Sequence, residues 1–334
     1  MLDLHVLGTA SARPTTKRAV SGSVLACPEG LVIIDPGEGF QDRFTTARRH
    51  LKSELGTPRL RSRRVAAVLL THGHLDHTWG LLPWLQTSGL DGRVEPLVVA
   101  GPVDAQTFDH VHEHGFHSLP PEGLPASDVW RQMRVWHDLG ATEELLGYPI
   151  TWRLGDVAAG RWMDVKADGA VESTAAWSPA GWTEHRLTPI VSRHSVPSCG
   201  WRIDGPSTSL VVSGDTASPG LDSDRPGPDL LVHEATYLEE HADRAEGHLH
   251  STAAGAARTA LHLGSRGLAL THFSARLADV SPSVAEATAV LDGALPCVAL
   301  NDGDRLTVQP DGTVHHLSRQ DVGWDVRLLV ESRR

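Results

Sequence analysis

Residues 72–77 read HGHLDH and follow the apolar run VAAVLL of residues 65–70, with Thr71 between the two. A short apolar run of this length predicts a buried strand, so the polar groups lie in a loop at its end. The first two histidines share one side of an extended segment and can therefore grip one metal ion. The aspartate and the last histidine follow after the chain has turned, and they can face a second ion. Imidazoles and a carboxylate together suit Zn²⁺, and also Mn²⁺ or Fe.

Short apolar runs bounded by glycine, proline, aspartate or serine recur along the chain and predict buried strands. They lie at residues 2–7, 21–27, 31–35, 65–71, 96–100, 209–213, 230–233, 268–271 and 298–300. Helical patterns fall between them, at residues 40–55, 78–86, 126–139, 251–263 and 282–291. Because strands and helices are interleaved along the whole length, we expect an α/β layered fold.

Metal-capable side chains recur at the C-terminal ends of these apolar runs. They are Asp35, His72, Asp215, Glu234 and His272. In α/β sheets such strand ends meet at one edge, where loops can point several side chains at one locus. The segment SRHSVP of residues 192–197 adds His194 as a further candidate ligand. We expect these residues to supply the partners that the HGHLDH loop needs in a metal site.

The chain of 334 residues is acidic, with 30 Lys+Arg against 41 Asp+Glu and a formal charge of -11. This balance is not typical of nucleic-acid-binding proteins, which usually show a basic patch, although arginines can still cluster locally. The N-terminus lacks the basic start and long apolar stretch of a signal peptide, and no apolar run reaches the length of a membrane span. We therefore expect a cytoplasmic protein without membrane contact.

Residues 101–184 differ from the rest of the chain in composition. They contain two adjacent prolines, many glycines and the tryptophans Trp130, Trp136, Trp152, Trp162, Trp177 and Trp182. We interpret this segment as an insertion, a lid or arm, within a single domain that spans residues 1–334. Residues 312–334 are expected to form a C-terminal hairpin or tail, with strands at 315–317 and 326–330.

Several motifs make the chain resemble the metallo-β-lactamase superfamily, and within it most closely ribonuclease Z, the tRNA 3′-processing endonucleases, and related phosphodiesterases. The matching segments are LGTAS at 7–11, DPGEG at 35–39, THGHLDH at 71–77, PSCGW at 197–201, SGDT at 213–216, HEAT at 233–236, HST at 250–252 and THFSAR at 271–276. The HGHLDH loop is specific only to the superfamily. The HEAT and HST pair is the part that resembles the ribonuclease Z branch and its phosphodiesterase relatives.

The resemblance implies a metallo-β-lactamase-type αβ/βα four-layer sandwich, with an insertion between the HGHLDH loop and the third zinc histidine. It also implies two Zn²⁺ ions at the rim of the sandwich, with Mn²⁺ or Fe as other possibilities. By position, one zinc would be held by His72, His74 and His194, and the other by Asp76, His77 and His272, with Asp215 bridging. The family further suggests a homodimer in which the arm of one subunit serves the site of the other.

This ligand set, together with Glu234 and His250, suggests phosphodiester cleavage, because two adjacent metal ions can activate a water and stabilise charge on a phosphoryl group. We expect His250, polarised by Glu234, to protonate the leaving oxygen as a general acid. Asp76 can serve both as a ligand and as the acceptor of the water's proton. Asp35 is expected to orient a ligand from behind, since metal-bound imidazoles usually donate their other N–H to a carboxylate or carbonyl.

The sequence leaves two substrates open. A basic, glycine- and proline-rich arm grips precursor tRNA in the family, whereas residues 101–184 are rich in tryptophan and poor in lysine. One possibility is therefore tRNA 3′-end processing, and the alternative is a small-molecule metallo-hydrolase with a tryptophan-lined pocket. That alternative would act on a phosphodiester, ester, lactone or thioester, for instance in specialised metabolism. The histidines of residues 110–117 are interpreted as a solvated or helix-start segment.

Overall fold

The structure is a computed structural model that describes residues 1–51, 60–166, 169, 171–174, 179, 181–221, 223–321 and 323–333. Its strands are β1 (Leu2–Gly8), β2 (Ala10–Ser11), β3 (Gly22–Cys27), β4 (Gly30–Ile34), β5 (Val65–Leu69), β6 (Leu97–Pro102), β7 (Ile150–Asp156), β8 (Arg161–Val165), β9 (Val171–Thr174), β10 (Arg186–Val191), β11 (Cys199–Asp204), β12 (Ser209–Val212), β13 (Leu230–Glu234), β14 (Leu268–Thr271), β15 (Phe273–Ser274), β16 (Cys297–Ala299), β17 (Arg305–Val308), β18 (Val314–Arg319) and β19 (Trp324–Val330).

The α-helices are α1 (Phe40–Leu51), α2 (Leu75–Thr78), α3 (Leu81–Leu90), α4 (Ala105–His114), α5 (Val129–Asp138), α6 (Glu143–Leu146), α7 (Ala242–His248), α8 (Ala253–His262) and α9 (Ser281–Leu291). Each apolar run predicted as a strand overlaps a strand, and each predicted helix overlaps a helix, with residues 52–55 of the first lying outside the described residues. Within the described chain, none of the helices has the length and apolar character needed to cross a bilayer.

Two sheets carry the fold. Over the described residues, the larger sheet has the strand order β19-β18-β17-β1-β3-β4-β5-β6-β7-β8-β9, and the smaller one β10-β11-β12-β13-β14-β16. Strands β4, β5, β6 and β7 are parallel to one another, as are β12, β13, β14 and β16. A separate short ladder pairs β2 with β15. Because parallel strands end at the same edge, the loops that follow them are gathered there.

Three apolar cores separate four layers. The first core packs α1, α3, α4 and α5 on one face of the larger sheet and includes Trp84 and Trp130. The second core lies between the two sheets, where Leu25 of the larger sheet and Trp201 of the smaller one are buried. The third packs α8 and α9 on the outer face of the smaller sheet through small residues such as Ala256. The order helices, sheet, sheet, helices is the αβ/βα sandwich expected from the sequence.

Residues 101–184 contribute directly to these layers. Their described part contains α4, α5 and α6, and it adds β7, β8 and β9 to one edge of the larger sheet. The tryptophans at 130, 136, 152, 162 and 182 are all buried, whereas Trp177 lies outside the described residues. A lid or arm function of this segment stays a prediction. At the opposite edge of the sheet, β18 and β19 form an antiparallel pair.

Candidate metal centre

Five polar side chains lie where parallel strands of the two sheets end. They are Asp35 after β4, His72 after β5, Asp215 after β12, Glu234 at the end of β13 and His272 after β14. The pairing of these strands brings their carboxyl ends to one rim of the sandwich. All five side chains are almost completely buried. The sheet topology therefore explains why residues far apart in the sequence converge at this rim.

Three imidazoles, those of His72, His74 and His194, form a first group at the rim. Nε2 of His72 lies 3.0 Å from Nδ1 of His74, which lies 3.2 Å from Nε2 of His194. Two nitrogens bound to one tetrahedral zinc ion, each at about 2.0–2.1 Å, lie about 3.3 Å from each other. With an oxygen of Asp215, the ligand atoms of this group all lie within 4.8 Å of one another. The group could therefore hold one ion.

A second group consists of Asp76, His77 and His272, whose ligand atoms also lie within 4.8 Å of one another. Nε2 of His77 lies 3.2 Å from Nε2 of His272, and both nitrogens are 3.5 Å from Oδ2 of Asp76. The backbone is extended at His74 and turns into α2 at Leu75. This change of direction separates the second group from the first.

Asp215 lies between the two groups. Its Oδ2 is 3.8 Å from Nε2 of His72 and 3.4 Å from Nε2 of His77, and its Oδ1 is 3.3 Å from Nε2 of His272. Among the described residues, Oδ1 has no hydrogen-bond partner. A buried carboxylate normally requires hydrogen bonds or a counter-charge. Asp215 is thus placed to bridge two cations.

Burial and nearby carboxylates shift the pKa values of the surrounding rings in opposite directions. Burial lowers the pKa of His72 well below its usual value and that of His74 to about 4, so both rings are neutral near pH 7 with a lone pair to offer. Burial also lowers the pKa of His77, but the charges of Asp215 and Asp76 outweigh it and raise this pKa well above its usual value. These carboxylates draw positive charge to the ring, and the imidazole and carboxylate donors suit Zn²⁺.

Asp35 and Thr71 orient two imidazoles of the HGHLDH loop, those of His77 and His72. Nδ1 of His77 donates to Oδ2 of Asp35 at 2.9 Å. Thr71 donates its amide and its hydroxyl to the same carboxylate, and its hydroxyl oxygen lies 3.0 Å from Nδ1 of His72. The threonine therefore accepts from His72. The structure places Asp35 where an orienting carboxylate was expected, and it adds Thr71, which the sequence analysis had not singled out.

Two further orienting groups were missed. The hydroxyl of Thr236 lies 3.0 Å from Nδ1 of His272 and donates to Oε2 of Glu234 at 2.7 Å. Nδ1 of His194 donates to the main-chain carbonyl of Leu249 at 2.9 Å. Thr236 stands in the HEAT motif, so a usable signal existed for it. A main-chain acceptor such as Leu249 leaves no signal in the sequence.

Strained backbone is concentrated at the rim. Of five non-glycine residues with positive φ in the described chain, four belong to it, namely Ala12, Asp35, Leu249 and His272. Ala12 is counted as part of the rim because its main-chain amide donates to Oδ2 of Asp76. A left-handed conformation at a non-glycine residue costs about 1–3 kcal/mol and persists only where surrounding contacts hold it. Such clustering is typical of functional sites, although Leu249 is also the left-handed cap of α7.

A carboxylate–imidazole pair adjoins both ligand groups. Nδ1 of His250 donates to Oε1 of buried Glu234 at 2.9 Å. The ring centre of His250 is 5.0 Å from that of His194 and 5.6 Å from that of His272. Burial lowers the pKa of His250, but the charges of Glu234 and Asp215 outweigh it and raise this pKa to about 9. The ring is therefore protonated at neutral pH and can act as an acid.

The histidines of residues 110–117 do not join the rim. His110 contacts the hydroxyl of Ser118 and the ring of Trp130, while the ring of His117 lies against that of His137. In the part of the chain that the structure describes, no three potential ligands meet there.

The sequence matches two family models. One, described as the metallo-beta-lactamase superfamily, matches residues 16–152, and the other, described as a beta-lactamase superfamily domain, matches residues 105–273. The ribonuclease Z of Myxococcus xanthus is 34% identical over 296 residues, which cover 85% of this chain and 90% of that protein. The ribonuclease Z of Porphyromonas gingivalis is 30% identical over 319 residues, which cover 91% of this chain and 98% of that protein.

Solved structures share the fold. The short form of human tRNase Z has a TM-score of 0.60 at 22% identity, over 92% of this chain and 99% of that chain. The metallo-beta-lactamase fold protein YhfI of Bacillus subtilis has a TM-score of 0.59 at 17% identity, over 91% of this chain and 98% of that chain. Together with the ligand groups at the rim, these similarities show that the chain belongs to the ribonuclease Z family of the metallo-beta-lactamase superfamily and is a metal-dependent hydrolase of that type.

Proposed function

We propose that this chain is a two-zinc phosphodiesterase that removes the 3′ extension of precursor tRNA. The observation that carries the proposal is the pair formed by Glu234 and His250 beside two convergent ligand groups. Two metal ions alone would serve many kinds of hydrolase. A protonated imidazole beside them is what a poor leaving group such as a ribose alkoxide needs, because that oxygen must gain a proton as it departs.

The proposed ligands of one ion are His72, His74 and His194, those of the other are Asp76, His77 and His272, and Asp215 is shared. Zinc is the proposed metal because nitrogen-rich donor sets with a few carboxylates suit it. When bound, the two ions would lower the pKa of a water between them and neutralise charge on the phosphoryl oxygens. Asp35, Thr71 and Thr236 contact Nδ1 of His77, His72 and His272, so Nε2 of each ring would be free to bind an ion.

Asp76 is proposed to orient the attacking water. Its Oδ2 already accepts the amide of Ala12, which leaves the other oxygen for a further hydrogen bond. Burial raises the pKa of Asp76, but the neighbouring His77 and His272 outweigh it and hold this pKa well below its usual range. Such a carboxylate stays ionised, so it can accept a hydrogen bond from the water, and it quickly releases any proton that the water transfers to it.

His250 is proposed to protonate the leaving oxygen. Its Nδ1 proton is engaged by Glu234, so the Nε2 proton is the one that can be given away. Burial raises the pKa of Glu234, but the charge of His250 outweighs it and lowers this pKa, so the carboxylate is ionised. The ionised carboxylate in turn keeps the imidazole charged until the proton is transferred.

Three exposed cations beside the rim support a polyanionic substrate. Arg13 and Lys17 lie on the loop that follows β2, and Arg276 lies just after β15, the strand that pairs with β2. None of the three has an ion-pair partner among the described residues. Ala12 of the same loop contacts Asp76, so the loop borders the proposed ligands. In a chain of charge -11, cations gathered here fit the phosphates of an RNA.

The small-molecule alternative depended on a tryptophan-lined pocket. The described tryptophans of residues 101–184 are instead buried in the cores on either side of the larger sheet. They therefore do not line an opening above the ligand groups, and the structure gives the alternative no support. Precursor tRNA is the proposed substrate, and the cytoplasmic location and the homodimer remain predictions that accompany it.

Zinc-loaded protein assayed on two substrates tests the proposal. We expect cleavage of both precursor tRNA and bis(p-nitrophenyl) phosphate, loss of both activities on chelation, and recovery with Zn²⁺. We also expect binding of the precursor to weaken steeply as ionic strength rises. Protein that carries two zinc ions and cleaves neither substrate would overturn the proposal. Cleavage of the small diester alone, without salt-sensitive RNA binding, would favour the small-molecule hydrolase.

A further inference from the structure

Helix α5, within residues 101–184, makes a buried contact with the HGHLDH loop. Nε2 of Gln132 donates to the main-chain oxygen of Gly73 at 2.5 Å and to that of Ala126 at 3.1 Å. Gly73 is the residue between His72 and His74, two of the proposed ligands. The composition of residues 101–184 suggested a lid or arm. Helix α5 of this segment instead packs against the HGHLDH loop and binds its main chain.

The two segments approach each other closely. A Cβ added to Gly73 would lie 1.8 Å from the main-chain oxygen of Ser127, so the close contact requires glycine. A Cβ added to Gly101 would likewise lie 2.8 Å from Cγ1 of Val129. The start of α5 is itself fixed, because Asp128 caps the helix by accepting the amide of Arg131. The loop therefore packs closely against the capped start of α5.

The amide of Gln132 is retained at a cost in stability. The residue is 7% exposed, and its Oε1 has no hydrogen-bond partner among the described residues. A buried acceptor without a partner destabilises the fold, and an apolar side chain of the same size would avoid the loss. Both donors of the amide are used, each on a main-chain carbonyl. The two N–H donors of the side-chain amide therefore explain why glutamine occupies this position, and one of them binds the carbonyl of Gly73 in the HGHLDH loop.

We propose that Gln132 is a positioning residue of the metal centre. By binding the carbonyl of Gly73, it fixes the peptide unit that joins Gly73 to His74. The orientation of that peptide sets the direction in which the His74 side chain leaves the backbone. Nδ1 of His74 must meet the nitrogens of both His72 and His194, at 3.0 and 3.2 Å. A small rotation of the peptide would spoil both spacings. The inference rests on the proposed ligands of the first ion.

Gln132→Met tests the inference because it removes both donors and keeps the length of the side chain. We expect the affinity for Zn²⁺, measured by competition with a chromophoric chelator, to fall by about tenfold or more, as for other contacts behind metal ligands. We also expect the visible absorption of the Co²⁺-substituted protein to change, since the geometry at His74 changes. Gln132→Asn is a second variant that guards against failed folding of the first, because it keeps an amide but is too short to reach Gly73 in the same way.

Arg131→Met is the matched control. It lies on the same helix and loses a hydrogen bond to the main-chain oxygen of Leu124, but it does not touch the loop. It should bind Zn²⁺ like the wild type. Wild-type affinity and cobalt spectra in both Gln132 variants would overturn the inference, and so would a loss that Arg131→Met reproduces in full.

His74→Ala separates this inference from the proposed function. Full metal content in His74→Ala would show that the assignment of the first ion is wrong, and the role of Gln132 would fall with it. Loss of metal in His74→Ala, together with unchanged affinity in Gln132→Met, would refute the role of Gln132 alone.

Discussion

Nδ1 of His250 lies 2.9 Å from Oε1 of Glu234, and the two side chains form a charged pair beside the proposed metal ligands. The carboxylate also accepts the amide of Thr216 and the hydroxyl of Thr236, so its position is fixed. None of the proposed zinc positions requires His250. His250 also forms a third potential ligand group with Asp215 and His272, so the zinc content of each His250 variant has to be measured beside its rate.

His250→Ala should slow the cleavage of a substrate more strongly, the more its leaving group depends on gaining a proton. We expect a loss of about 10²–10⁴-fold in kcat on an RNA diester, which releases an alkoxide. The loss on bis(p-nitrophenyl) phosphate should be much smaller, because p-nitrophenolate leaves without a proton. The exposed His248, which lies against Tyr237, provides the control variant His248→Ala. Equal losses on both substrates would refute the role of His250 as an acid.

The charge of Glu234 should determine the alkaline limb of the pH–rate profile. His250 must be protonated to donate, so kcat should fall as pH rises through its pKa of about 9. Burial lowers that pKa, whereas Glu234 is the largest cause that raises it. In Glu234→Gln the limb should therefore move to lower pH. A profile measured from pH 6 to 10 checks this shift, and an unmoved limb would argue against the pair.

Asp128 should make the fold less stable at high pH. Burial, with a smaller effect of Asp104, raises the pKa of this carboxyl from its ordinary 3.8 to about 6. Between these values the native state binds more protons than the unfolded state, so stability is lost as pH rises through the window. Asp128→Asn keeps the cap to Arg131 without the charge. We expect it to add about 1–3 kcal/mol to the free energy of unfolding at pH 8.

Urea unfolding at pH 8 and at pH 4 measures the effect of Asp128→Asn, which should stabilise at the higher pH only. Asp104→Asn is the control, since Asp104 caps α4 through the amide of Thr107 and is exposed. Its effect should stay within about 0.5 kcal/mol. Equal gains from Asp128→Asn at both pH values would show that its charge is not the cause.

Arg276→Ala should weaken precursor tRNA binding and reduce its dependence on salt. If Arg276 neutralises one phosphate, the slope of log affinity against log salt should decrease by about 1. Activity on bis(p-nitrophenyl) phosphate should be unchanged, because that substrate carries one phosphate and sits at the metals. Arg327→Ala serves as the control, since Arg327 is exposed on β19 and pairs with Asp325. The same slope in Arg276→Ala and wild type would contradict an RNA contact.

Apart from β7, the parallel strands of the two sheets could be predicted because both of their faces are buried. Strand β5 reads as a continuous apolar run, and so do β12 and β13. Strands β7, β8 and β9 could not be predicted. Strands β7 and β8 mix arginine, aspartate and tryptophan, β9 has only four residues, and both β8 and β9 pair antiparallel. Their composition suggested a lid, and only their pairing in the folded chain makes them part of the larger sheet.

The candidate site divides in the same way. Side chains at strand ends, such as Asp215 and His272, could be predicted because their chemistry and position are visible in the sequence. Gln132 could not, because it meets Gly73 only through the packing of α5 on a loop 59 residues earlier. Leu249 could not either, because it acts through a main-chain carbonyl that every residue possesses.

The most direct measurement is single-turnover cleavage of a 3′-extended precursor tRNA by the zinc-loaded protein, with the product ends mapped to the nucleotide. We predict two zinc ions per chain, one cut at the 3′ side of the mature tRNA, loss of cutting on chelation, and much slower cutting by His250→Ala. A protein that holds two zinc ions and leaves the precursor intact would contradict the proposed function.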